Sequence, residues 1–222
     1  MNLNSIPFKR TSDAVALFRS AYENRYTWDS SFPGFKAVAR FTQNGREHQA
    51  QIQVTAELKI VISNASSNDA VAALRDQLQE IITHRMRRRF EDVHGKNEFT
   101  CGETDATGAV TILVSGAAMG DRYKVCDNIV TLVHRHIQGT IVTINVLSTL
   151  NTGEGYLPVD YESCYSTTSG NQPDSLIQKH HDEYDRFGDY FLLTSRQIVQ
   201  AGKGNAPQTQ ELRLTEICLL NR

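Results

Sequence analysis

The chain has 222 residues, of which 40% are hydrophobic and 22% charged, and its formal charge is −2. That balance supplies a core and excludes a disordered profile, while the near-neutral charge excludes the broad positive field of a general nucleic-acid binder. No stretch approaches the roughly 18 consecutive apolar residues of a spanning helix, and the opening MNLNSIPFKRTSD has no apolar run after its charges, so neither a transmembrane segment nor a secretory signal is expected.

Residues 1–10 read as a flexible arm, and Thr11 or Ser12 can cap the helix that follows. Ala14, Leu17, Phe18, Ala21 and Tyr22 fall on one helical stripe, which ends in the aromatic cluster Tyr26, Trp28 and Phe32 before the turn Pro33-Gly34. Phe35, Ala37, Ala39 and Phe41 alternate with polar residues as a half-buried strand, and Asn44-Gly45 is a strong hairpin signal. The return strand spans His48–Val54 with Gln49, Gln51 and Gln53 facing outward, and Leu58, Ile60 and Ile62 mark a third strand. Ser67, Asn68 and Asp69 are cap candidates for a second helix expected over Ala70–Phe90, with a buried stripe of Val71, Leu74, Leu78, Ile81 and Ile82 and a basic end from His84 to Arg89.

From Asn97 onward the pattern is nearly all strand: Val110–Val114, Tyr123–Cys126, Ile129–Ile137, Thr140–Leu147, Val159–Tyr165, Leu176–Tyr184, Tyr190–Val199 and Glu211–Leu220. Turns are expected at Asp127-Asn128, Gly139, Phe187–Asp189 and Gly202–Pro207, with a flexible loop at Asn151–Gly155. No repeat or linker interrupts the chain, so 1–222 reads as a single α+β domain, mainly antiparallel β. About ten strands would form a strongly curved sheet or half-barrel with two covering helices. Its concave side is either packed or a cavity for an apolar ligand.

The chemistry-bearing residues are few. Tyr22, Tyr26, Trp28, Phe35, Leu78, Ile82 and Met86 are the candidate lining of an apolar site, with a packed core as the plainer reading. Arg85 falls near the buried stripe and is expected to pair with Glu91, Asp92 or Glu98, whereas Arg87, Arg88 and Arg89 spread around the helix and form no single focus. His134 and His136 share one face of a strand, and one of His180 and His181 faces inward; His134, His136 and His180 are therefore the alternative metal set, with Asp182 or Glu183 nearby. Cys101, Cys126, Cys164 and Cys218 form no CxxC pair, so buried reduced thiols are expected. There is no GxSxG elbow and no Walker loop, and Gly153-Glu154-Gly155 is too short for a dinucleotide loop.

The segments AYENRYTWD (21–29), FPGF (32–35), THR (83–85), HGKNEF (94–99), GETD (102–105) and YKV (123–125) together resemble an uncharacterised protein family of cyanobacteria and plastids. The resemblance covers most of the chain and implies an oxygenic phototroph and a cytoplasmic or plastid-stromal setting. It carries no catalytic residue. Arg25, Arg85, His94, Lys96 and Glu98 form the polar set of its matching segments. A second likeness concerns architecture: Gly188-Asp189-Tyr190, Phe191–Ser195 and the closing Leu214–Ile217 look like the end of the lipoprotein-carrier half-barrels, which hold acyl chains beneath a helical lid. The combined expectation is a non-enzymatic binding protein. It would carry a hydrophobic small molecule (lipid or pigment), or act as a chaperone-like factor for a photosynthetic assembly partner. Peripheral membrane contact is compatible with it, and no cofactor is specified. The alternative is a metal-dependent or acid–base enzyme built on the strand HxH.

Overall fold

The computed structural model describes residues 11–43, 45–167, 176–201 and 207–221. The elements in chain order are α1 (Thr11–Glu23), β1 (Gly34–Gln43), β2 (Arg46–Thr55), β3 (Ile60–Ser63), α2 (Asn68–Arg85), α3 (Phe90–His94), β4 (Asn97–Thr104), β5 (Val110–Gly116), β6 (Arg122–Cys126), β7 (Ile129–Ile137), β8 (Thr140–Val146), β9 (Thr149–Asn151), β10 (Tyr156–Pro158), β11 (Asp160–Thr167), β12 (Leu176–Phe187), β13 (Tyr190–Ala201) and β14 (Gln208–Leu219). Twelve strands hydrogen-bond in the order β3-β2-β1-β14-β13-β12-β11-β8-β7-β6-β5-β4, an open arrangement with β3 and β4 at its ends. The fold is therefore mainly antiparallel β with few helices, as the alternation of the sequence requires. Strands β9 and β10 pair as a separate two-stranded hairpin around the predicted loop at Asn151–Gly155.

The chain forms two compact units. The first comprises the described residues of Met1–Arg25, Arg88–Leu147 and Ser163–Ser175. The second comprises those of Tyr26–Arg87, Ser148–Glu162 and Leu176–Arg222. Each has its own apolar core. In the first, Ala14, Phe18, Ala21 and Tyr22 of α1 pack with Phe90, Phe99, Ile112, Val114, Tyr123 and Val125. In the second, Leu74, Leu78, Ile81 and Ile82 of α2 pack on Phe35, Ala37, Ala39, Phe41, Ile52, Val54, Leu212 and Leu214, joined by Tyr26, Trp28 and Phe32. The apolar stripe of α1 and the aromatic cluster after it, adjacent in sequence, thus serve different cores.

Local chemistry explains most boundaries. Ser67 caps α2, its hydroxyl accepting from the Ala70 N–H at 3.2 Å. Strands β1 and β2 pair from Gly34↔Thr55 to Gln43↔Arg46. Gly34 has φ +87°, and a Cβ there would lie 2.3 Å from the Val54 carbonyl oxygen, so only glycine fits. Asp127 and Asn128 both adopt positive φ, the two-residue hairpin geometry that short polar side chains tolerate. The expected arm at 1–10, the Thr11 and Ser12 side chains, Asn44 and residues 202–206 lie outside the described residues.

Three expectations need correction. The second helix stops at Arg85 rather than Phe90, because Met86 turns to extended backbone (ψ 122°) and bridges Trp28 in parallel, with the Trp28 N–H donating to the Arg85 carbonyl at 2.8 Å. The basic run is split accordingly: Arg87 and Arg88 are exposed in an extended connection, and Arg89 precedes the short α3. Leu58 belongs to the turn before β3, at φ +61°, and not to the strand. Of the four free cysteines only Cys101 is buried, and Cys218 is exposed.

Candidate functional site

The most concentrated polar chemistry of the second unit begins with a strand irregularity. Pairing of β12 with β13 runs out from the turn as Phe187↔Tyr190 to Tyr184↔Leu193, then shifts, so that Glu183 faces Ser195 and Thr194 is an extra residue. This bulge places Arg196 directly across from Asp182, both turned inward. Asp182 is 1% and Arg196 4% exposed. The guanidinium donates through Nε to Oδ1 at 2.7 Å and through Nη2 to Oδ2 at 2.6 Å, a bidentate charge-assisted pair.

Further groups complete the network. The Tyr184 hydroxyl donates to Asp182 Oδ2 at 3.0 Å and accepts from Arg85 Nη2 at 3.1 Å. The Tyr161 hydroxyl reaches the same carboxylate at 3.4 Å, and Glu80 of α2 lies 3.4 Å from Arg196 Nη1. His180 stacks face to face on Tyr161, with ring centroids 4.3 Å apart. Burial pushes the Tyr184 phenol up to about 12 and raises Tyr161 as well. Burial, reinforced by Arg196, lowers the His180 imidazole to about 4. At neutral pH the phenols are therefore protonated and the His180 imidazole neutral. A phenol held that high does not give up its proton near neutral pH, and the arrangement is suited to fixing register and orientation.

Arg85 is buried, but its partners are Tyr184, the Tyr26 carbonyl at 3.4 Å and the His84 carbonyl at 3.3 Å, not Glu91, Asp92 or Glu98. It thereby fastens the end of α2 to β12.

On the other side of the same strands lies a shallow cleft of about 360 Å³ lined by Arg40, Thr42, Glu47, His181, Glu183, Ser195, Gln197, Glu211 and Arg213. A second hollow of about 460 Å³ shares Glu183, Ser195 and Arg213 with it and runs on past Asp185, Thr215 and Glu216. Strand alternation produces both: Phe41, Leu212, Arg196 and Asp182 face the core, so their neighbours face out. A second irregularity, where Lys36↔Cys218 gives way to Val38↔Thr215 and Glu216 takes φ +53°, deforms the floor of the second hollow.

Tyr26, Trp28, Phe35, Leu78 and Ile82 are all buried in the second core, and Met86 packs against it. Trp28 stacks on Phe32 with centroids 4.2 Å apart, and its indole N–H donates to the Phe191 carbonyl at 3.2 Å. Tyr22 is in the core of the first unit, where Phe18, Tyr22, Phe90, Phe99 and Tyr123 surround His94. Burial, with Arg135 and Arg25 adding to it, lowers His94 to about 4. The Arg25 guanidinium lies over the Tyr22 ring at 3.7 Å. Lys96 and Glu98 are exposed, and Glu98 accepts from the Ser115 hydroxyl at 3.4 Å.

His134 and His136 do share a face, with ring centroids 5.3 Å apart. His134 meets Thr143 at 2.8 Å, and His136 lies 3.4 Å from Asp121, which also pairs with Arg135 at 3.1 Å. His180 belongs to the second unit and faces its core, while His181 faces out to Asp160 at 2.7 Å. Among the described residues no three His, Cys, Asp or Glu side chains are grouped so as to hold a metal ion.

The sequence alone did not single out Arg196, Tyr161, Tyr184, Arg40 or Arg213. The available signal was a charged residue on the apolar phase of a strand: Asp182 alternates in step with His180, the partner on β13 being hidden by the bulge.

A family model described as "Protein of unknown function (DUF3386)" matches residues 9–220, and the chain belongs to that family. No curated protein matches the chain.

Proposed function

We propose that this chain is a non-enzymatic binding protein whose recognition surface is the polar cleft over β1, β12, β13 and β14 of the second unit, and that its ligand is a segment of a partner protein. The observation that carries the reading is the contrast between the two faces of these strands. The inner face is closed by mutual packing of the aromatic and aliphatic side chains that a hydrophobic carrier would use as a lining. The outer face carries two adjoining hollows in which arginine, glutamate, glutamine, serine and threonine stand among Leu212 in the first and Phe187, Leu214 and Ile217 in the second. Such a surface offers charged donors and acceptors beside apolar side chains, the mixture that suits a polypeptide segment, and no enclosed apolar cavity for an acyl chain.

The buried Asp182–Arg196 pair supports the cleft from beneath by fixing the register of the two strands that form its floor. In the phototroph setting implied by the sequence resemblance, the partner would be a component of a photosynthetic assembly, met in the cytoplasm or stroma. Native mass spectrometry of the protein from its source, before and after organic extraction, tests the choice of ligand class. An unchanged mass, with a protein partner retained by the wild type and lost by Gln197→Trp, is the expected result. A stoichiometric lipid or pigment released on extraction would return the protein to the carrier class.

A further inference from the structure

The cleft has an unusual charge layout. Across the strands, one row of outward residues reads Gln49, Arg40, Arg213, Ser195, Glu183, each directly opposite the next in the pairing register. The neighbouring row reads Glu47, Thr42, Glu211, Gln197, His181. Arg40 and Arg213 therefore stand face to face on adjacent strands, an arrangement that repels. Both are exposed, and among the described residues neither takes part in an ion pair or a side-chain hydrogen bond. Glu211 is engaged by the Gln197 amide at 3.1 Å rather than by either arginine.

Two arginines opposite each other in the pairing register and lining one cleft, with a serine hydroxyl next in the row, make up a donor set for one oxyanion. An oxyanion bridging them would turn the repulsion into attraction. We propose, on the reading that the cleft is the recognition surface, that Arg40 and Arg213 anchor a carboxylate borne by the partner segment. The glutamates of the neighbouring row give this anchor its direction. Rows lie two residues apart along a strand, about 7 Å. A partner lying along the strands would thus place an acidic side chain over Arg40 and Arg213, and a basic one, two positions on, over Glu47 and Glu211. Neutral hydrophobic ligands gain nothing from such a pattern.

The test is thermal unfolding at low ionic strength, titrated with hexaglutamate, hexalysine or inorganic phosphate, for the wild type, Arg40→Gln and Arg213→Gln. Hexaglutamate is expected to raise the wild-type midpoint saturably, with an apparent affinity about tenfold weaker in either variant. Without added anion, both variants are expected to unfold at or slightly above the wild-type midpoint, because each removes one member of a repelling pair; a structural arginine would give the opposite sign. Equal hexaglutamate responses in all three proteins, or a lowered midpoint in both variants without anion, would overturn the anchor. A response to phosphate but not to hexaglutamate would overturn the carboxylate and assign the site to a phosphoryl group. The cleft reading is judged separately: if Arg40→Gln and Arg213→Gln retain the partner and Gln197→Trp loses it, the anchor fails and the cleft stands.

Discussion

Replacing Asp182 by asparagine removes one charge from a pair that water scarcely reaches, the carboxylate being 1% and the guanidinium 4% exposed. The wild-type carboxylate accepts two guanidinium hydrogen bonds, at 2.7 and 2.6 Å, and the Tyr184 hydroxyl at 3.0 Å. Hydrogen bonds to charged groups contribute about 1.5–3 kcal/mol each, so two of them set a scale of about 3–6 kcal/mol. Breaking a buried pair from one side costs about 3–5 kcal/mol, because the surviving charge stays buried without its partner. Glu80, 3.4 Å from Arg196 and 40% exposed, compensates only in part. Asp182→Asn is therefore expected to lose about 3–5 kcal/mol in urea unfolding. The double variant Asp182→Leu/Arg196→Met, which removes both charges of the pair, is expected to recover most of that loss. A loss below about 1 kcal/mol for Asp182→Asn, or a double variant as unstable as the sum of its single changes, would refute the reasoning.

Other expectations follow from the same structure. Ser67→Ala removes the cap of α2 and should cost about 1 kcal/mol in the same assay. Gly34→Ala should cost about 2 kcal/mol or more, since the new methyl meets the Val54 carbonyl at a backbone angle that alanine avoids. His94 and His180 are held at about 4 by burial against an ordinary 6.5. As pH falls from 6.5 toward 4 the unfolded chain takes up protons that the folded chain refuses. Stability should therefore drop across that window by up to about 1.4 kcal/mol per pH unit for each histidine, and level off below it. His180→Gln should reduce that slope, measured from urea midpoints at pH 7 and pH 5, by roughly one proton.

Strand positions were legible because alternation is a local property. Gln49, Gln51 and Gln53 face out and Ile52 and Val54 face in, as the pattern of β2 requires. The end of α2 was not legible, since the periodic run continues past Arg85 and what stops the helix is the bridge to Trp28, nearly sixty residues earlier. The division into two cores was hidden for a similar reason. Tyr22 and Tyr26 continue one apolar stripe, yet the unit boundary falls between Arg25 and Tyr26. The Asp182–Arg196 pair depends on one extra residue: without the bulge at Thr194, Asp182 would face Ser195. Register fixes such contacts, and a one-residue slip reverses which side chains face the core. The Arg40–Arg213 row likewise exists only once β1 and β14, at opposite ends of the chain, are paired.

Site-specific photocrosslinking tests the central claim most directly, with a benzophenone side chain introduced at Gln197 in the cleft or at Thr100, an exposed position on β4 of the first unit. The account predicts one protein crosslink from Gln197, competed by unlabelled wild-type protein, and none from Thr100. Crosslinks to the same partner from Thr100 but not from Gln197 would contradict it.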